Sequence, residues 1–183
     1  MRHLGSLREL LIYHCKGLHA LPEWLGELKS LEKLYICLTP VTCLPQSMQH
    51  LNCLRELEID CCTGPHELPE WLGKLRSLEN LAISGAPLTC LPQSMQHLSS
   101  LRVLIFDDCK GLQALPEWLG KLKSLEKLVI SETPLTCLPH SMQQLTALQM
   151  LRIYQCPELK RRCESTNGKD WHLISHIPFL DIE

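Results

Sequence analysis

The sequence predicts an α/β solenoid: a short arc with about seven parallel strands on its concave face, short helices or irregular segments on its convex face, and a C-terminal cap. Three observations predict it. A segment of the form LxxLxI occurs seven times, as LRELLIYHC, LEKLYICLT, LRELEIDCC, LENLAISGA, LRVLIFDDC, LEKLVISET and LQMLRIYQC, at a spacing that alternates between 24 and 23 residues. The hexapeptide LPEWLG returns unchanged at Leu21, Leu68 and Leu115, 47 residues apart each time. Residues 157–183 abandon both patterns.

The strand segments carry the leucine-rich-repeat signature, with Cys, Thr or Ala at the position where other such repeats carry Asn. Alternation along a strand sends every second side chain to one face. Leu10, Ile12, Leu34, Ile36, Leu57, Ile59, Leu81, Ile83, Leu104, Phe106, Leu128, Ile130, Leu151 and Ile153 are therefore expected to fill the interior. One coil cannot bury its own apolar edge, but stacked coils can. Parallel strands stack about 4.8 Å apart, and the segments opposite need more room, so the array is expected to bend with its sheet inside.

In the outer segment LPEWLGxLxSL, Pro22 is expected to start a short helix, Leu21, Leu25, Leu28 and Leu31 to point inward, and Gly26 to end or loosen the turn. Trp24, Trp71 and Trp118 fall beside inward leucines and are expected to lie partly exposed. The intervening coils place Ser47, Ser94 and Ser141 at the tryptophan position. Each indole is therefore expected to cover the gap above a neighbouring serine, with the pair of coils as the packing unit. The charge pattern has the same period. Arg8, Glu32, Arg55, Glu79, Arg102 and Glu126 alternate in sign from coil to coil, a ladder of the kind that contributes about 0.2–1 kcal/mol per pair before screening.

The ends differ. Residues 1–156 read as the repeats and 157–183 as a capping segment, with a polar turn at Asn167-Gly168 and an apolar end formed by Trp171, Ile174, Ile177, Phe179, Leu180 and Ile182. At the other end the first repeat begins with Leu7 and no cap precedes it. That suggests either a piece of a longer protein or self-association as a homo-oligomer through the uncapped N-terminal coil.

The run of LPEWLGxLxSLExL and LPQSMQHLxxLRxLxI coils, closed by CPELKRRCESTNGKDWHLISHIP, resembles the C-terminal leucine-rich repeats of plant coiled-coil, nucleotide-binding, leucine-rich-repeat (NLR) disease-resistance proteins of the grass type. The resemblance covers nearly the whole chain, and its closing segment is more specific than the repeat. It implies a recognition and autoinhibitory module of an intracellular immune receptor, with a pathogen effector, a host target or the receptor's own nucleotide-binding domain as partner. The alternative is a free-standing repeat scaffold or inhibitor. No phosphate-binding loop of the form GxxxxGK[ST] occurs, so no ATP hydrolysis is expected.

Composition narrows the classes further. A formal charge of -2 gives no electrostatic reason to expect nucleic acid or an anionic membrane as partner. No apolar run reaches the ~20 residues that span a bilayer, and the N-terminus has no secretory leader pattern. The eleven cysteines are odd in number and follow the repeat: Cys15, Cys62, Cys109 and Cys156 form one series, Cys43, Cys90 and Cys137 another. Residues recurring at fixed repeat positions are expected to be packing thiols, reduced in a cytoplasmic protein. The absence of Asn-x-Ser/Thr sequons agrees with that location.

A recognition surface is expected on the outward strand positions. The middle row is Leu11, Tyr35, Glu58, Ala82, Ile105, Val129 and Arg152; the next is Tyr13, Cys37, Asp60, Ser84, Asp107, Ser131 and Tyr154. With Asp108 and Glu132 they give an acidic centre, a small-residue saddle at Ala82, Ser84 and Gly85, and solvent-facing apolar side chains of the kind that mark protein contacts. Cys156, Cys163, His172 and His176 could form a tetrahedral zinc set, but Cys156 occupies a buried ladder position and six residues separate the cysteines, so no metal and no cofactor is expected. There is no nucleophile elbow or HExxH, and an enzyme is not expected.

Overall fold

The computed structural model describes residues 5–60, 66–164 and 167–183. Seven strands follow the predicted register: β1 (Glu9–Tyr13), β2 (Lys33–Cys37), β3 (Glu56–Asp60), β4 (Asn80–Ser84), β5 (Val103–Asp107), β6 (Lys127–Ser131) and β7 (Met150–Tyr154). The tail adds an element that the repeat pattern did not predict. After helices α1 (Pro157–Cys163) and α2 (Trp171–Ile174), residues Phe179–Ile182 form β8, which joins β7 in parallel. All eight strands lie in one sheet in chain order. Among the described residues no helix is long and apolar enough to cross a membrane.

From β2 to β7 the inward Leu and Ile positions, with Phe106, are buried to 1% exposure or less, each opposite its counterpart in the next strand. Leu10 and Ile12 depart from expectation and are only half-buried. Their strand has a sheet neighbour on one side among the described residues, so half of each side chain lacks a packing partner. Just past six of the repeat strands the backbone turns left-handed: His14, Leu38, Gly85, Asp108, Glu132 and Gln155 have φ between 49° and 62°, while the residue after β3 lies outside the described residues. At five of these the amide reaches the last strand residue of the next coil, as in Leu38 N–H to the Asp60 carbonyl at 2.9 Å and Asp108 N–H to the Ser131 carbonyl at 3.0 Å. The left-handed residue extends the ladder by one bond while turning the chain away from the sheet.

The residue after it occupies the Asn position of the repeat and, among the described residues, is buried where a coil flanks it on both sides: Thr39, Ala86, Cys109, Thr133 and Cys156. The thiols take over part of the amide's bonding. Cys109 Sγ lies 3.5 Å from the Ile83 carbonyl and 3.6 Å from that of Asp107, and Cys156 Sγ accepts the Thr133 amide at 3.5 Å. Cys15, in the first coil, is exposed, and Cys62 lies outside the described residues. The second series reverses its expectation: Cys43, Cys90 and Cys137 are all exposed, because the inward positions beside them are taken by Leu44, Leu91 and Leu138.

On the outer side each coil contributes one short 3-10 helix, from Glu23–Glu27 to His140–Gln144. These helices pack in pairs, with Glu23–Glu27 close on Gln46–His50 and the latter looser on Glu70–Lys74. The letters of LPEWLG account for the pairing. The Pro22 carbonyl accepts the Leu25 amide at 3.0 Å and opens the helix, and Leu25 enters the core at 1% exposure. Glu23 reaches into the next coil, where its carboxylate accepts the Ser47 amide at 2.9 Å. Glu70 does the same for Gln93 and Ser94 at 3.1 and 3.0 Å, and Glu117 for His140 and Ser141 at 3.0 and 2.9 Å. A carboxylate from one coil thus caps the free amides at the helix start of the following coil. Hydrogen bonding to Ser47 holds the Glu23 carboxyl below its usual value, and at Glu117 the bonds to Ser141 and His140 do so against the opposing effect of burial.

Glycine makes a close contact within each pair. A Cβ on Gly26, Gly73 or Gly120 would overlap the backbone or Cβ of Ser47, Ser94 or Ser141. Gly26 lies inside its helix, Glu23–Glu27, where the expectation had it ending or loosening the turn. Trp24 and Trp118 are half-buried as expected, while Trp71 is buried. The charge ladder closes within the same pairs: Arg8–Glu32 at 2.8 Å, Arg55–Glu79 at 2.9 Å and Arg102–Glu126 at 2.9 Å.

The tail covers the last coil. Asp170, 3% exposed, receives Arg162 at 2.6 and 2.8 Å and the Leu138 amide at 3.0 Å, joining the start of α2 to both α1 and the sixth coil. Ile174 and Ile177 are buried against the core and Trp171, Leu180 and Ile182 pack on its rim; Phe179, expected in the apolar end, is exposed on the sheet face. Substituting Gly73→Ala should lower unfolding free energy by about 1–3 kcal/mol in a urea melt through overpacking against Ser94. Gly17→Ala, which meets nothing within 4 Å, should change it by less than about 0.5 kcal/mol. Equal losses at both sites would refute the close-approach role.

Candidate functional site

The outward side chains of eight strands make one continuous face. Its middle row runs Leu11, Tyr35, Glu58, Ala82, Ile105, Val129 and Arg152, directly paired strand to strand, and continues onto Asp181 of β8. The next row runs Tyr13, Cys37, Asp60, Ser84, Asp107, Ser131 and Tyr154 in the same register. All the expected surface residues of the strands therefore stand on one face. Asp108 and Glu132 lie just past β5 and β6 at the left-handed positions.

The face has three regions. At its N-terminal end Leu11 and Tyr13 are each 59% exposed, a large apolar area beside the half-buried Tyr35. The Tyr35 hydroxyl donates to Glu56 at 2.7 Å, and Lys33 pairs with the same carboxylate at 3.0 Å. That bond holds the Tyr35 proton well above the ordinary phenol range and, with Lys33, keeps the Glu56 carboxyl below its usual value. Lys33 and Glu56 belong to a third outward row that the sequence reading left out; it is visible in the same alternation, two residues before Tyr35 and Glu58.

The centre is acidic but less so than its sequence suggests. Glu58 and Asp60 on β3 face Asp107 on β5 across the saddle of Ala82 and Ser84, as expected. Lys110, however, pairs with Asp108 and lies 3.7 Å from Glu132, neutralising part of the charge at that edge. The third region is a hollow of about 510 Å³ over β4–β8, lined by Ser84, Ile105, Asp107, Val129, Ser131, Arg152, Ile153, Tyr154, Asp181 and Glu183. Seven of these stand on the outward rows read from the sequence. Asp181 and Glu183 were not among them, because a tail read only as a cap carries no sheet register. Asp181 also fixes Arg152, accepting its Nε at 2.6 Å.

The four residues weighed as a zinc set do not converge: Cys156 and Cys163 are buried, whereas His172 and His176 are exposed. Among the described residues no three His, Cys, Asp or Glu side chains gather in a metal-binding arrangement. Burial pushes the Cys109 thiol up to about 11 and that of Cys163 up to about 12, which leaves little thiolate to react near neutral pH.

Comparison with known proteins follows this geometry. The family model described as leucine-rich repeat region matches residues 1–109. A protein of Solanum bulbocastanum named as disease resistance protein RGA4 is 59% identical over 27 residues, which is 15% of this chain and 3% of that protein. Among solved structures, the leucine-rich repeat domain of the type III effector XCV3220 (XopL) superposes with a TM-score of 0.74 at 25% identity, over 82% of this chain and 53% of that one. The Leptospira interrogans protein LIC12759 gives 0.56 at 20% identity, over 100% and 56%. The ectodomain of the Arabidopsis thaliana receptor kinase GASSHO1/SCHENGEN3, in complex with Casparian strip integrity factor 2, gives 0.66 at 22% identity, over 82% and 18%. This chain thus spans 53%, 56% and 18% of these three structures.

In the folded protein at about pH 8, iodoacetamide should label Cys43, Cys90 and Cys137 and spare Cys109 and Cys163 until denaturant is added. Equal labelling rates, read by peptide mass mapping, would contradict the burial pattern.

Proposed function

The chain belongs to the leucine-rich repeat family, a scaffold for protein interaction, and from that premise we propose that it is the recognition and autoinhibitory module of a plant intracellular immune receptor. It acts in the cytoplasm, through the exposed sheet face, on a pathogen effector, a host target or the receptor's own nucleotide-binding domain. The observation that carries the recognition role is the face itself. A soluble surface has no packing reason to place Leu11, Tyr13, Ile105 and Val129 on solvent-facing strand positions, and such side chains mark contacts. The disease-resistance part of the reading is supported by the short match to RGA4 and by the CPEL and DWHLISHIP segments of the tail.

The rest of the molecule fits a binding role. Paired coils, intercoil carboxylate caps and buried ladders hold the face rigid, so a partner meets a surface that needs little ordering on binding.

Ile105→Arg and Val129→Arg should abolish co-purification of partners from leaf extract, while Glu27→Lys on the outer side should leave it intact. Melts should shift by less than about 0.5 kcal/mol for such surface changes. Silencing the gene should raise susceptibility to at least one pathogen strain. Capture lost only with the outer-side variant would overturn the use of the sheet face, and unchanged infection across a pathogen panel would overturn the immune role.

A further inference from the structure

The hollow over β4–β8 exists because Ser84 and Ser131, in the row after the middle one, are small while their neighbours Asp107 and Tyr154 are not. Two adjacent middle-row residues, Ile105 and Val129, pair directly on β5 and β6 and give it an apolar floor. Its volume of about 510 Å³ falls within the ~300–1,000 Å³ of sites that enclose a ligand. That is room for more than a single small side chain.

Charge selects the occupant. The lining holds the carboxylates of Asp107, Asp181 and Glu183 against one guanidinium, Arg152. Arg152 is already engaged by Asp181 at 2.6 Å. Asp107 and Glu183 have no ion pair or side-chain hydrogen bond among the described residues, so the hollow is left with uncompensated negative charge. An anionic or purely apolar occupant would leave that charge unmet. A long aliphatic stem ending in a cation meets both features, lying along the isoleucine and valine while its head reaches the carboxylates. Tyr154, 40% exposed, also lines the hollow, and an aromatic ring is a side chain that attracts cations.

We propose that this hollow is a specificity pocket for a lysine or arginine side chain presented by a protein partner beside an apolar residue, the apolar neighbour resting on Ile105 and Val129. The assignment rests on the recognition reading above and adds to it the chemistry of the partner. The tail is then part of the binding surface: Asp181 holds Arg152 aside, out of competition with the incoming cation.

The test uses the full 183-residue chain and two blocked tripeptides, leucyl-arginyl-leucine and leucyl-glutamyl-leucine, titrated while methyl and amide resonances are followed. The arginyl peptide should shift Ile105, Val129 and Tyr154, and Asp107→Asn should weaken it about tenfold, the size of one charge-assisted hydrogen bond. The glutamyl peptide should shift nothing. Equal response to both peptides, response to neither, shifts centred on Leu11 and Tyr13, or an unaffected Asp107→Asn variant would each overturn the pocket. Concentration-dependent shifts at these residues without peptide would do so too, by giving the hollow to a second copy of the chain. If Asp107→Asn and Glu183→Gln still capture partners that Ile105→Arg loses, this pocket falls and the recognition reading stands; if Ile105→Arg also captures them, both fall.

Discussion

Everything in this molecule depends on the fact that no coil can seal its own core. Each strand turns two large apolar side chains inward and each outer segment adds several leucines, and these lose contact with water only where a coil lies on either side. The half-buried Leu10 and Ile12 against the fully buried Leu34 and Ile36 show the effect of one neighbour against two. Strand spacing, left-handed turn and buried Asn-position residue must therefore repeat in register, since a slip in one coil would misplace the polar groups of the next.

The outer side satisfies the same demand with a longer period. Two kinds of coil alternate, one with glutamate and glycine and the other with glutamine or histidine and then glutamine at the equivalent places. The glutamate caps the next helix and the glycine lets that coil approach, so neither kind works twice in succession. Gln49, which stands where Gly26 does in the preceding coil, instead accepts a hydrogen bond from Lys74 at 2.6 Å across the looser junction. Arginine and glutamate pairs on the edge of the sheet close at the same junctions as the glycine contacts. The 47-residue period is thus a period of packing, and LPEWLG is conserved within the chain because four of its letters each make a contact with the core or with the coil that follows.

How much of this could be read in advance follows from what repeats. The strands, their inward rows and the outward rows were legible because alternation and spacing fix side-chain direction. The two-coil unit was legible too, but the reading looked to Trp24 over Ser47 and missed the close approach of Gly26 to the same serine; spacing reveals a partner without revealing which atoms touch it. The thiols divided for a similar reason. Cys109 and Cys156 occupy an inward corner, whereas Cys43, Cys90 and Cys137 recur just as regularly beside inward leucines and remain outside. Tail residues escaped prediction most, since Phe179, Asp181 and Glu183 take their positions from β7 and not from any internal repeat. That is why most of the hollow was visible in sequence and its closing edge was not.

Recognition draws on the same stiffness. A face that presents Leu11, Tyr13, Ile105 and Val129 to solvent stays soluble and specific only if the ladder beneath it cannot slide, so the account stands or falls on the cooperative stack. The most direct measurement is equilibrium urea unfolding of Leu104→Ala, at the centre of the array and fully buried. The account predicts one transition with about 2–5 kcal/mol lost, because the cavity is felt by the coils on both sides. An unchanged midpoint, or a second transition in which only the coils around β5 melt, would contradict it.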